Sequence, residues 1–262
     1  QYCARVQRNS GQTNTDAIRI STSLETANSI PLTGKTITVS FYARAGANYS
    51  AASSAFNLQI LYGTGTDQNL YNFTGQSVLS APNFTLTTTW QRFTATATMV
   101  TSATEVGIQF YYTPTGTAST NDYFEITGVQ LELGSVATPF ARTGGTIQGE
   151  LAACQRYYYL MASGSGLDTF LGVYYSNTQL NAVVSFPVTM RTAPTLSATT
   201  GTDYYAFSRN GSNDLFNSFT LQRATTNTAG LYNNTEMSGT GGNGGIVSLN
   251  NGSSSLAFSS EL

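Results

Sequence analysis

The chain has 262 residues, of which only 9% are charged, and its 11 basic residues are scattered along it under a net charge of −2. No basic cluster is dense enough to neutralise several phosphates, which excludes a nucleic-acid partner, and no run of 18 apolar residues exists to cross a membrane as a helix. Histidine is missing altogether, which removes Ser–His–Asp and Cys–His sites and every His-containing zinc site.

What remains is rich in pleated-sheet formers. There are 16 Tyr and 14 Phe beside many Thr and Val, and a single lysine, Lys35; aromatic and β-branched residues suit half-buried strands. The composition predicts an all-β chain. A surface so weakly charged is poorly protected against association, which points to a subunit of a larger assembly. Gln1 is not an initiator residue, so the chain reads as a processed or partial product.

In chain order, QYCARVQR and DAIRIST open as strands. Ile37, Val39, Phe41 and Ala43 then alternate with polar neighbours, the period of a half-buried strand. The same period recurs through Phe56, Leu58, Ile60 and Tyr62, through Phe93, Ala95 and Ala97, and through Val106, Ile108, Phe110 and Tyr112. Trp90, near a strand start, is expected in the core. Thr64 to Ser80 is the longest irregular part of this half. In YFEITGVQLELG the phase changes, with Phe124 and Ile126 followed by Val129, Leu131 and Leu133. One extra residue near Gly128 is therefore expected as a β-bulge. Residues 1–142 are predicted to form a β-sandwich or jelly roll.

Pro139 and Gly144–Gly145 end that unit. From the N-cap Thr146, the residues Ile147, Leu151, Cys154, Tyr158 and Met161 fall at helical spacing, so residues 143–166 read as a hinge and a connecting α-helix. Residues 167–262 resume short strands, a small C-terminal β domain with few large aliphatics that is expected to form oligomer contacts. No repeat of fixed period is visible, against a β-helix.

Chemistry is sparse. Two carboxylates three apart on a strand, Asp122 and Glu125, face opposite ways and make no glycosidase pair; a pair assembled from distant strands stays open, but solvated acids are the plainer reading and no enzyme is expected. Asp16, Asp122 and Glu125 are the acids a calcium ion would use at a sandwich edge, although solvated loop acids are the plainer reading, and no cofactor is expected. Cys3 and Cys154 read as buried free thiols. Tyr62, Tyr71, Tyr111 and Tyr112 sit at strand ends beside long loops, where a phenol ring can stack on a sugar; Tyr62 and Tyr112 also fit a core role.

The stretch GVQLELGSVATPF (Gln130, Leu131, Glu132, Gly134, Ala137, Thr138, Pro139, Phe140), followed by Glu150, Leu151, Cys154, Gln155, Arg156 and Tyr157, resembles a module common in tailed-bacteriophage virion appendages of the tail-fibre or receptor-binding type. The segments ITVSFYARAG, TTTWQRF and DYFEITGVQLE resemble a carbohydrate-binding-module-like sandwich fused to that joint. The resemblance implies a virion structural protein that attaches to host surface polysaccharide. The alternatives are a capsid decoration or tail-attachment subunit and, further off, a polysaccharide depolymerase. It implies other virion proteins as partners and a homotrimer, with contacts expected at Ile147, Leu151, Tyr158 and Met161.

Overall fold

Alternation of apolar and polar residues builds the first half of the chain. The computed structural model describes residues 2–262. Its first nine strands are β1 (Ala4–Gln7), β2 (Ile18–Ser23), β3 (Thr36–Ala45), β4 (Ala55–Gly63), β5 (Ser77–Ser80), β6 (Asn83–Thr85), β7 (Gln91–Thr98), β8 (Glu105–Tyr112) and β9 (Tyr123–Leu133). A one-turn helix, α1 (Thr26–Ser29), follows β2. All pairings are antiparallel, in a four-stranded sheet ordered β1-β9-β3-β7 and a five-stranded sheet ordered β2-β8-β4-β5 with β6 also on β4. The predicted inward faces of β3, β4 and β8 meet in one core. Phe41 lies at its centre, with the rings of Phe56, Phe84, Phe93 and Phe110 between 4.8 and 6.1 Å away. Such aromatic pairs each add about 0.5–1.5 kcal/mol beyond the area they bury.

The expected bulge is present. In the β3–β9 register Tyr42 opposes Thr127 and Ser40 opposes Gln130, so Gly128 and Val129 together face Phe41. Gly128 has φ +58°, the left-handed conformation that glycine adopts without strain. Beyond β9 the chain folds back over the outer face of the four-stranded sheet. Gln130 is the clamp: its Nε2 donates to Thr138 Oγ1 at 3.0 Å and its Oε1 accepts from Ala141 N at 2.8 Å. Glu132 accepts from both the amide and the hydroxyl of Thr138, and Arg92 donates to the Thr138 carbonyl. The Thr138 hydrogen bonds hold the Glu132 carboxyl below its ordinary range. Beneath this segment Thr38 and Ser40 are buried, although they point away from the core.

A second compact unit runs from Arg142 to Glu261, the first ending at Ala141. It contains α2 (Ile147–Gln155), β10 (Tyr158–Ser163), β11 (Leu167–Ser176), β12 (Gln179–Ser185), β13 (Thr195–Ala198), β14 (Tyr205–Arg209), β15 (Ser212–Phe216), β16 (Thr220–Ala224), β17 (Thr228–Asn233), β18 (Gly244–Leu249) and β19 (Ser255–Ser259). A seven-stranded sheet, β15-β14-β18-β11-β12-β17-β16, and a three-stranded sheet, β10-β19-β13, enclose their own core. Tyr174, Tyr205, Phe207, Phe216, Phe219 and Phe258 share it with Leu180, Leu231, Leu249 and Leu256, so the buried leucines of this half are gathered in one place.

Three expectations are corrected here. The helix stops at Gln155, and Tyr158 to Ser163 form a strand in which Tyr158 opposes Ser259 and Tyr159 opposes Phe258. Three consecutive tyrosines favour an extended, paired backbone over a helix, and Tyr159 and Met161 face the core at period two. Met161 is therefore no free contact residue. Both cysteines are exposed rather than buried. Trp90 is 39% exposed rather than in the core, because it precedes β7 and stands on the outer side of the sheet.

Candidate functional site

The alternation that buries Phe56, Leu58, Ile60, Ile108 and Phe110 turns their neighbours outward on the five-stranded sheet. Because β8 lies between β2 and β4 in register, the outward residues fall into cross-strand rows. Arg19, Tyr111 and Asn57 make one row, continued by Asn83 on β6. Ser21, Gln109 and Gln59 make the next. Strands lie about 4.8 Å apart and alternate residues about 7 Å apart along a strand, the scale of a sugar ring.

The rows are knitted by hydrogen bonds. Gln109 Nε2 donates to Gln59 Oε1 at 2.9 Å, and Asn83 Nδ2 to Asn57 Oδ1 at 3.0 Å. The Arg19 guanidinium carbon lies 5.8 Å from the centre of the Tyr111 ring. Gln109 is 4% exposed, and its Oε1 has no hydrogen-bond partner. A buried amide oxygen without a donor costs on the order of 1–3 kcal/mol, so Gln109 contributes to the face through its bond to Gln59 and not through this oxygen.

A third row closes one end. Gly107 stands between Ser23 and Leu61, and a Cβ on it would lie 2.4 Å from Leu70 Cδ1. The glycine lets Leu70 drop onto the sheet, where it packs with Leu61 and Phe73. The 3-10 turn Leu70–Asn72, whose first amides are held by Ser23 Oγ and Asn69 Oδ1, thereby raises Tyr71 as a wall. Tyr71 is 55% exposed and its phenol oxygen accepts from Ser21 Oγ at 3.2 Å.

The four predicted tyrosines separate. Tyr71 and Tyr111 share this face. Tyr62 points the other way and packs against the core. Tyr112 is fully buried, donates to Asp122 and cannot stack on a ligand; its strand position is one residue out of phase with Tyr111. Arg19, Ser21, Asn57, Gln59, Asn83 and Gln109 were not singled out from the sequence, although they are the polar half of the same alternation that located the core.

The acids considered for calcium are engaged elsewhere. Asp122 accepts from Arg8, Ser50 and Tyr112, while Glu125 accepts from Arg5 and Arg44. Asp16 is exposed in a turn, and among the described residues no group of three His, Cys, Asp or Glu is placed to hold a metal ion. In the second unit Ile147, Leu151 and Cys154 form an exposed stripe on α2, and Tyr158 is exposed on β10.

No protein-family model and no curated protein matches the sequence. Among solved structures, one described as "CBM4 structure and function" is 24% identical over 50% of this chain and 71% of its own, with a TM-score of 0.34. The CBM22-2 xylan-binding domain of Paenibacillus barcinonensis Xyn10C is 17% identical over 50% of this chain and 88% of its own, with a TM-score of 0.25. The CBM22-1–GH10 modules of Clostridium thermocellum endo-1,4-β-D-xylanase 10B are 13% identical over 53% of this chain, which spans 30% of theirs, with a TM-score of 0.27.

Proposed function

We propose that this chain is a non-catalytic, glycan-binding subunit of a bacteriophage virion appendage, and that its first unit lays a neutral glycan across β2, β8 and β4. One observation carries the glycan reading: two cross-strand rows of mostly uncharged hydrogen-bonding side chains on one outer face, with the Tyr111 ring in one row and the Tyr71 ring standing beside the other. Amides and hydroxyls both donate and accept, as sugar hydroxyls do. The virion placement is supported by the resemblance of the segment from Gln130 to Phe140 and of the helix residues Glu150 to Tyr157. The exposed Ile147–Leu151–Cys154 stripe supports association with further copies, as a homotrimer.

Glycan-array binding of the full chain tests the site. Tyr111→Ala and Tyr71→Ala, with melting temperatures preserved, should each weaken binding about three- to tenfold. Unchanged binding in both removes this face from consideration. The architectural alternative, a decoration or attachment subunit, draws on the apolar outer face of the seven-stranded sheet, where Leu171 and Val183 are 74% and 67% exposed. Locating the chain in a virion map separates the two.

A further inference from the structure

The other outer face of the first unit, on the four-stranded sheet, carries a groove of about 430 Å³ lined by Tyr42, Trp90, Thr127, Gly128 and Phe140. That volume lies within the range of small-ligand sites. The bulge makes the room. A Cβ on Gly128 would sit 3.2 Å from the Tyr42 ring and 3.6 Å from the Phe140 ring, so any side chain there would crowd the groove. Phe140 is fixed as a wall because Gln130, Glu132 and Arg92 grip the residues on either side of it.

Charge distinguishes this groove from the amide rows. The Arg44 guanidinium carbon is 5.0 Å from the Trp90 ring centre, and that of Arg92 is 5.9 Å from the Tyr42 ring centre. Arg44 engages Glu125 through Nε at 2.5 Å, and Arg5 shares the same carboxylate. Glu132 is turned to Thr138. Glu125 is thus already answered by two guanidinium groups, Arg92 spends its hydrogen bonds on Ser40 Oγ and the Thr138 carbonyl, and Arg44 stands over the Trp90 ring at the rim of the groove.

We propose that this groove binds a carboxylated sugar, its pyranose ring stacked on the aromatic walls and its carboxylate taken by the terminal nitrogens of Arg44. A guanidinium fork matches a planar carboxylate with two parallel hydrogen bonds. Aromatic faces accept the C–H face of a pyranose, which an acidic peptide does not offer. A neutral sugar would use the rings and leave the guanidinium unanswered. The site is separate from the proposed neutral-glycan face and does not depend on it.

Trp90 is the only tryptophan in the sequence, so its emission reports on this groove and not on the five-stranded sheet. Titrating the full chain with a short oligogalacturonate should change that emission saturably, with a dissociation constant of roughly a millimolar or tighter. The carboxyl-reduced oligosaccharide should bind about tenfold more weakly. Arg44→Lys, which keeps a positive charge beside Glu125, should also weaken binding about tenfold while the melting temperature stays near that of the parent. The proposal is overturned by any of three results: no saturable change, equal affinity for the reduced sugar, or an equal response to polyglutamate.

Discussion

The Tyr112 hydroxyl donates to Oδ1 of Asp122 at 3.1 Å, and Arg8 Nη1 reaches the other oxygen of that carboxylate at 2.9 Å. Neither the Arg8 nor the Asp122 side chain has any exposed surface. Arg8 Nη2 also donates to the carbonyls of Gln12, Asn14 and Gly116, so one guanidinium ties β1 to two loops. Burial and the Asp122 charge together push the Tyr112 phenol well above its ordinary value. Replacing Arg8 by Met would leave Asp122 charged and unmatched in the interior. The expected loss is about 3–5 kcal/mol of unfolding free energy, read from urea denaturation.

Glu125 predicts an acid limb in the stability profile. Burial works against its charged form, but hydrogen bonds from Arg5 and Arg44 win and hold its carboxyl below the usual range. A carboxyl depressed in the folded state adds stability that is complete above its unfolded value, about 4.3 for Glu, and fades as pH falls through the folded value. Melting temperature should therefore drop below about pH 4 in the parent. In Glu125→Gln it should be lower at neutral pH and fall less steeply in acid.

Gly128→Ala tests the bulge. An L-residue held at φ +58° costs about 1–2 kcal/mol, and the new methyl would press on Tyr42 and Phe140. Thermal unfolding should show the loss, accompanied by a shift in Trp90 emission. A variant as stable as the parent would mean that the bulge relaxes into a different register.

Both thiols should react in the native protein. Cys3 and Cys154 are exposed, so a thiol reagent in solution can reach both sulfurs. A colorimetric thiol assay should count two per chain without denaturant. A count that rises only on unfolding would place one of them inside.

Self-association should run through the α2 stripe. Ile147 and Leu151 are four apart on one helical face and open to solvent. Light scattering should give three times the chain mass for the parent, and Leu151→Glu should shift the mass toward one chain. A parent that remains monomeric at micromolar concentration removes the trimer.

The core of the first unit was legible because period-two alternation is a direct record of which side is buried. Phe41, Phe56 and Phe110 needed nothing more. The same rule placed the bulge near Gly128, since a phase change leaves no other solution in a paired strand. It erred at Tyr158 to Met161, where a spacing of three residues fits a helix and apolar residues two apart fit a strand; only the pairing with β19 decides between them. Strands β5, β6, β15 and β17 escaped because each is short, three to six residues, and puts only one or two side chains into the core. The tyrosine quartet divided between the two readings open to it, Tyr62 and Tyr112 in the core and Tyr71 and Tyr111 on the outer face. Proximity to loops locates a strand end, but which face a ring occupies depends on parity, and Tyr111 and Tyr112 differ by one.

The grip of Gln130 and Glu132 on Thr138 and Ala141 also fixes where the first sandwich can be cut. A truncation after Leu133, where the last strand ends, would strip away the cover over Thr38 and Ser40 and leave Arg92 without its carbonyl acceptor. The amide of Ala141, though it lies in no strand, should exchange its hydrogen more slowly in the parent than in Gln130→Ala, because its bond is to the Gln130 side chain. For limited proteolysis, the first vulnerable bonds of the connection therefore lie past Ala141, in the Arg142–Gly145 stretch.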